Sequence, residues 1–424
     1  LEPVPVSLGI DFYYLAQSVY GYISDIRFVL RGGSPRLQYV FGGRKNMKIV
    51  YCILGTFNSG GMERVLTNKA NYLARNGHEV TIVTTDQRGR EAYFELHPAV
   101  SQVDIGINYT ENNGKGFVRK LCSYPFKQRA HRQKLSSVLS LLKADICVSM
   151  FDKEASFLYK LKDGSSKILE VHFSRYKRLQ YGRKGIWKIM DLLENYNDPR
   201  IAEKYDRFVV LTEEDKGYWG DLHNIKVIAN AHSFEPQASA SLEQKRVIAI
   251  GRYSYQKGFD DLIEAWAEVY SKHPDWTLEI FGGGELQEAY RSQIERLNLQ
   301  EVVKLCPPTI DIQQEYLNSS ILAMTSRYEG LPMALLEAQV CGLPLVSYAC
   351  KCGPRDIIEN GKNGYLINEG NVKEFSTKLI RLMERSDLRK EMGVASKRKS
   401  ENFTEETIMK EWLGLFSDLL NTKI

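Results

Sequence analysis

The stretch that decides the fold runs from 47 to 85. It opens with Met47-Lys48-Ile49-Val50-Tyr51-Cys52-Ile53-Leu54 and passes through Gly55-Thr56-Phe57-Asn58-Ser59-Gly60-Gly61. It continues from Met62-Glu63-Arg64 to Arg75-Asn76-Gly77 and closes on His78-Glu79-Val80-Thr81-Ile82-Val83-Thr84-Thr85. The first eight residues form a continuous apolar strand. A glycine- and asparagine-rich loop follows, then an amphipathic helix from about 62 to 75, ended by Asn76-Gly77 as a left-handed cap. Residues 78–85 are the next strand. Strand, glycine loop, helix and strand in that order open a βαβ unit.

Working outward, apolar runs at 145–151, 167–172, 208–212 and 226–230 continue the pattern. They are continuous rather than alternating, as in a parallel sheet covered on both faces. Residues 232–245 interrupt it with Ser233, Pro236, Ser239, Ser241 and Glu243, a polar linker. A second unit starts at 246–250, with strands at 276–281, 302–305, 321–325, 345–347 and 364–367. Helices fill 259–272, 285–297 and 332–341. The last helix, 405–420, carries Ile408, Trp412, Leu415 and Leu419 at helical spacing. The expected fold class is α/β: two Rossmann-like doubly wound domains, 47–235 and 236–404, facing across a cleft, with 405–424 as a terminal helix. Ligands in such folds sit beyond the carboxyl ends of the strands. Residues 1–46 are aromatic-rich, lack clean periodicity and lack the usual secretory signal. They read as a leader outside the fold: an over-extended translation start, an expression scar or a fusion remnant. The rival reading is an amphipathic attachment helix around 11–30.

Composition narrows the class. The chain has 424 residues, 43% hydrophobic and 26% charged, which excludes disordered, collagenous and coiled-coil proteins. No apolar run approaches the ~18–20 residues that span a bilayer. The seven cysteines form no C-x-x-C, which argues against a disulfide framework or zinc site and fits a reducing cytoplasm. The net charge of +5 is too small to imply nucleic acid, and it is unevenly placed: +7 over 47–235 and −4 over 236–424.

Three loops carry chemistry. Gly60 and Gly61 precede the first helix, where unpaired backbone N–H groups and the helix dipole attract a phosphate. The plain alternative is a tight turn. Gly251-Arg252…Lys257-Gly258 follows the first strand of the second unit. Two fixed cations there hold a diphosphate and stabilise it as a leaving group; the alternative is an exposed basic loop. The third loop, Ser326-Arg327-Tyr328-Glu329-Gly330-Leu331-Pro332-Met333-Ala334-Leu335-Leu336-Glu337-Ala338, is the most specific. Pro332 suits the first turn of a helix, whose N–H groups near Leu331 and Met333 face a phosphate. Glu337 on an otherwise apolar element suits a ribose diol; otherwise it is a side chain turned to solvent.

With these motifs on the page, residues 47–424 resemble family 4, GT-B-fold, retaining glycosyltransferases of the kind that build bacterial envelope glycans such as capsule and lipopolysaccharide. The resemblance rests on Gly60-Gly61-x-Glu63-Arg64, Gly251-Arg252…Lys257-Gly258, Gly282-Gly283-Gly284-Glu285, Glu329-x7-Glu337 and Gly342-Leu343-Pro344, in that order. It implies a nucleotide-sugar donor held mainly by the second domain. Arg252 and Lys257 would contact the diphosphate, Glu337 the ribose and Glu329 the sugar hydroxyls. His172, at the end of 167–171, would lie near the anomeric centre; without the resemblance it reads as a structural histidine. Gly330 belongs to the same donor loop. The terminal helix would cross back onto the first domain. Two departures concern loops: Ala229-Asn230-Ala231 replaces a common Pro-Asn-Gly, and Lys351-Cys352-Gly353-Pro354-Arg355-Asp356 replaces a Gly-Gly segment.

Two basic, aromatic stretches account for the positive domain. One is 115–134, with Arg119, Lys120, Lys127, Arg129 and Arg132; the other is 175–188, with Lys177, Arg178, Arg183 and Lys184. They suit an anionic membrane surface or a polyprenyl-diphosphate acceptor; otherwise they are a solvated face. The expected activity is retaining transfer of a hexose or N-acetylhexosamine, with UDP the favoured nucleotide, to a hydroxyl of a lipid-linked or growing glycan at the inner face of the plasma membrane. No cofactor is expected beyond the nucleotide-sugar substrate, no metal and no nucleic acid. A sugar-nucleotide epimerase of the same architecture and an inactive glycan-binding homologue are the rival readings.

Overall fold

The computed structural model describes residues 46–112, 117–180 and 185–422. The leader and the attachment helix at 11–30, apart from Asn46, lie outside these residues, as do Lys115, Arg183 and Lys184. Met47–Ile424 forms one unit.

Its first half is a seven-stranded parallel sheet. In chain order the strands are β1 (Lys48–Ile53), β2 (Glu79–Thr84), β3 (Val100–Asp104), β4 (Ile146–Ser149), β5 (Ser166–Glu170), β6 (Arg207–Val210) and β7 (Ile225–Val227). Across the sheet they run β3-β2-β1-β4-β5-β6-β7. β1 is central, with Tyr51 opposite Ile82 of β2 on one side and Val148 of β4 on the other. β1 and β4 are buried along nearly their whole length, which is why they read as continuous apolar runs. β3 was not legible in the sequence. It is an edge strand, Val-Ser-Gln-Val-Asp, with mostly exposed side chains. The basic stretches contain the helices Phe117–Leu142 and Ile186–Ala202.

The second half is a six-stranded parallel sheet: β8 (Arg246–Ile250), β9 (Thr277–Phe281), β10 (Val303–Cys306), β11 (Ile321–Met324), β12 (Leu345–Tyr348) and β13 (Gly364–Ile367). The order is β10-β9-β8-β11-β12-β13, the doubly wound arrangement. Each sheet is sealed on both faces by apolar clusters. The helix Glu405–Asn421 buries Ile408, Trp412, Leu415, Phe416 and Leu419 among Ile49, Tyr51 and Leu66 of the first half. A chain segment from beyond the second sheet therefore completes the core of the first.

Strand order reverses direction between β1 and β4 in one sheet and between β8 and β11 in the other. At such a reversal the connections leave to opposite faces and open a crevice at the carboxyl ends. The glycine loop follows β1, the Arg252–Lys257 loop follows β8, and the Glu329 loop follows β11. All seven cysteines are free thiols. Among the described residues no helix is long and apolar enough to cross a membrane.

Candidate functional site

The two halves touch where these loops meet. A Cβ added to Gly330 would lie 2.4 Å from the carbonyl oxygen of His172 and 3.0 Å from the Cα of Phe173. The missing side chain lets the Glu329 loop rest directly on the chain leaving β5. Gly60 caps the helix Gly61–Arg75 in an extended conformation. A Cβ on Gly61 would meet the Cγ of Met333 at 3.6 Å. The N-termini of the helices Gly61–Arg75 and Met333–Val340 thus converge, and both present positive dipole ends to the same space. Leu331 and Pro332 are buried. Pro332 is the residue before the helix rather than part of its first turn, because its extended ψ of 109° does not continue as helix.

The cations form one wall. Lys257 ends a short 3-10 turn, Tyr255–Lys257, and Gly258 follows in the left-handed conformation, φ +60°. A Cβ at Gly258 would lie 2.2 Å from the carbonyl oxygen of Thr325, so the turn packs on β11 only with glycine. This fixes Lys257, whose Nζ is 2.7 Å from Oε1 of Glu329. Arg252 is exposed at the cleft edge. Arg327 is drawn away from the cleft: its Nη2 binds Asp260 Oδ2 at 2.7 Å and its Nη1 donates to the carbonyl of Tyr255 at 2.7 Å. Asp260 and Asp261 are therefore occupied with an arginine at the head of the helix Phe259–Lys272. Among the described residues no group of three or more His, Cys, Asp or Glu is placed to hold a metal ion.

Lys177 is a half-buried member of the second basic stretch. Its stretch read as a membrane surface, an acceptor-diphosphate site or a solvated face; in the structure its ammonium stacks over Phe173 at 4.6 Å. Burial, then the neighbouring Arg178 and Arg252, lower its pKa, and Glu329 opposes them. It is a first-domain cation whose charge is felt together with those of Arg252 and Glu329 of the second domain. Arg178 is likewise not a free surface charge, being paired with Glu194 and with Asp198 at 3.3 Å.

Glu337 is buried, not turned to solvent. Its Oε1 accepts from Ser233 Oγ at 2.6 Å and its Oε2 from Tyr316 OH at 3.0 Å. Burial raises its pKa, opposed by Ser233, Tyr316 and the positive charge of Arg64 across the cleft. Arg64 stacks over Phe94 at 4.0 Å. In the sequence reading Arg64 was only a motif residue and Ser233 only part of the linker, and Tyr316 had no role. Ser233 falls in the linker and Tyr316 on a six-residue helix, Ile312–Leu317, neither with a periodic signal.

Behind His172 lies a buried charge cluster. Its Nε2 sits 2.8 Å from Oε1 of Glu170, with side chains 6% and 1% exposed. Both carboxylate oxygens of Glu170 are 2.5 Å from the ammonium of Lys69. Burial alone would raise the Glu170 pKa, but Lys69 and His172 outweigh it and hold the carboxyl at about 2. Two signals in the sequence point to the cluster. Glu170 and His172 are two apart at a strand end, and Lys69 falls on the helix face otherwise made of Val65, Leu66, Ala70 and Leu73.

On the first-domain side, Phe151 follows β4 with φ +58°, rare for a bulky residue. It turns the chain into Lys153–Ser156, where Ser149 Oγ donates to Glu154 Oε1 at 2.6 Å. Burial, then the charge of Asp152, raise the Glu154 pKa to about 8. The loops that departed from the family pattern join the halves. Cys352 stands at φ +66° where glycine is common, and its thiol donates to Asp215 Oδ1 at 3.4 Å. Arg355 pairs with Glu214 at 3.3 Å.

Away from the cleft, the helix Ile186–Ala202 exposes Ile189, Leu192, Leu193 and Tyr196, spaced i, i+3, i+4, i+7, with Tyr196 61% exposed. Phe126 on the helix Phe117–Leu142 is 78% exposed. Tyr124 of that helix feels the charges of Glu194 and Arg178, so the two elements are neighbours.

A model described as Glycosyltransferase Family 4 matches residues 59–235, and one described as Glycosyl transferases group 1 matches 232–399. An uncharacterized glycosyltransferase of Haemophilus influenzae is 30% identical over 373 residues, 87% of this chain and 99% of its own. The amylovoran biosynthesis glycosyltransferase AmsD of Erwinia amylovora is 29% identical over 391 residues, 88% of this chain and 99% of its own. Among solved structures, a variant of S. aureus TarM in complex with fondaparinux, alpha-GlcNAc-glycerol and UDP matches with a TM-score of 0.68 at 19% identity, covering 87% of this chain and 100% of that one. The chain belongs to the family 4 glycosyltransferases and has the GT-B fold.

Proposed function

We propose that this glycosyltransferase moves a hexose or N-acetylhexosamine, with retention, from a UDP-sugar to a hydroxyl of a lipid-linked or growing glycan. One observation carries the reading: the first residues of two helices meet, a Cβ on Gly61 falling 3.6 Å from Met333 Cγ, and the loop leading into the second helix holds Lys257 through Glu329 at 2.7 Å. That arrangement favours a diphosphate, and charge growing on it as the glycosidic bond breaks is met by dipoles already in place. Arg252 and Lys177 add charge from either side of the cleft. Glu337, with Ser233 and Tyr316, supplies the polar floor for a ribose, and Glu329 lies against the sugar. UDP as the nucleotide is supported by its presence in the TarM complex.

The charge pattern favours same-face attack over a covalent intermediate. Glu170, the carboxylate next to His172, has both oxygens engaged by Lys69, and Glu329 is engaged by Lys257. Neither is a free nucleophile. The departing phosphate then takes the acceptor proton, and His172 orients the sugar at the reacting carbon. No metal is needed where fixed cations do this work. The exposed apolar stripe of Ile186–Ala202, beside a helix with Arg129 and Arg132 exposed, supports seating the first domain on an anionic membrane that presents the acceptor. The test is a panel of nucleoside diphosphate sugars screened for protection against melting and for slow hydrolysis, with and without EDTA. UDP-sugars should give the largest shifts and should be turned over equally in EDTA. Protection by none of the panel would overturn the donor reading.

A further inference from the structure

We propose that Lys69 and Glu170 are positioning residues for His172, a buried relay that sets which ring nitrogen faces the cleft. The inference rests on the reading of His172 as a residue of the reacting centre. Three contacts define the relay. The Lys69 ammonium lies 2.5 Å from both oxygens of Glu170, and Oε1 of Glu170 lies 2.8 Å from Nε2 of His172. Lys69 is also roofed by aromatic faces, Trp412 at 4.3 Å and Tyr51 at 5.5 Å. Trp412 comes from the terminal helix, so the segment that completes the first core also closes over the relay.

A buried ion pair is weak evidence for stability, because desolvating two charges cancels much of their attraction and an apolar pair fills the same space as well. Lys69 sits on a helix face otherwise built of apolar residues, among them Leu66, Ala70 and Leu73, and Glu170 ends β5. The pair's distinctive consequence is directional. An ionised Glu170 accepts but cannot donate, so at 2.8 Å it favours the ring orientation that turns Nε2 towards it. Lys69, with His172, holds the buried Glu170 carboxyl well below its ordinary range. Gly330 presses on the His172 backbone. The ring is therefore fixed from behind by charge and along the chain by contact. A positioning shell of this kind holds a reacting group within the small tolerance that transfer demands.

The test compares the full chain with Lys69→Met/Glu170→Leu, which replaces the charges by apolar groups of similar size. The readouts are UDP affinity and release of UDP from whichever UDP-hexose the wild type turns over fastest. The relay should show as a kcat lowered at least ~10-fold with KM and UDP affinity within about twofold, and a pH–rate profile whose acidic limb moves. Lys69→Arg, which keeps the cation, should stay within about threefold of wild type. If the double variant does not fold, Glu170→Gln keeps the shape, and the same split is expected of it. Wild-type kcat with an unmoved profile would show the pair to be structural only. His172→Asn separates the two claims. A slow His172→Asn beside a fast double variant sinks the relay alone, whereas a fully active His172→Asn sinks the reading of His172 and the relay with it.

Discussion

Gly330, in the donor loop of the second domain, packs against the main chain of His172 in the first, with no room for a single carbon between them. The contact ties the end of β5 to the loop after β11 and fixes how near the two lie. Gly330→Ala should leave both domains folded but hold them apart. A Cβ 2.4 Å from a carbonyl oxygen is relieved only by moving backbone. We expect the midpoint of thermal unfolding to change by a few degrees at most and transfer to fall by ~10-fold or more, as misplacement of about 1 Å can cost ~10²-fold. Wild-type turnover in this variant would show that the contact is incidental.

Lys257 and Arg252 differ in their surroundings, and their variants should differ too. Lys257→Ala removes a leaving-group cation and strands Glu329, which is 7% exposed. It should lower kcat by ~10²-fold or more and also destabilise the chain by about 1–3 kcal/mol. Arg252→Ala, at an exposed position, should lower turnover without the stability loss. Calorimetry beside steady-state rates separates the two effects, and equal rates in wild type and both variants would remove the diphosphate assignment.

Glu154 and Glu170 give opposite pH dependences. Burial raises the Glu154 pKa to about 8, so the folded chain binds a proton that the unfolded chain has already lost. Its contribution is present below the ordinary carboxylate range and is lost as pH rises towards 8. Glu170, held at about 2, contributes above that ordinary range and loses the contribution as pH falls towards 2. Glu154→Gln should therefore melt higher than wild type at about pH 8.5 and show a smaller gain at about pH 5. An equal gain at both would mean that Glu154 is ionised in the folded chain throughout.

Vesicle flotation tests the membrane-facing surface. Arg178 is committed to Glu194 and Asp198, so reversing its charge would damage the fold rather than report on lipid. Ile189→Ser/Leu193→Ser instead removes apolar area from the exposed stripe. It should weaken binding to anionic vesicles and leave UDP affinity unchanged. Binding should also fall steeply with salt, since screening acts over ~10 Å at 0.1 M. Unchanged flotation of the double variant would place the attachment elsewhere.

The sheets were legible because their strands are buried on both faces, which leaves uninterrupted apolar runs such as 47–54 and 321–325. β3 was missed because an edge strand alternates too weakly over five residues, three of them polar. The loop residues Gly60, Gly61, Arg252, Lys257, Glu329 and Glu337 could be named from motif and spacing, since each sits just past a strand or early in the next helix. Their partners could not. Glu337 with Ser233, and Lys69 with Glu170, are separations of 104 and 101 residues that only the folded sheet brings together. Lys177 could not be told from its basic neighbours in the sequence; the packing of its ammonium over Phe173 is visible only in the fold.

The most direct test of the central claim is the anomeric configuration of the product. The purified chain is given the UDP-sugar that protects it best and a lipid-linked glycan acceptor, and the new glycosidic linkage is read by proton NMR. The account predicts an axial linkage from an α-linked donor, formed with release of UDP and unaffected by EDTA. An inverted linkage, or a sugar interconverted on its nucleotide with no transfer, would contradict it.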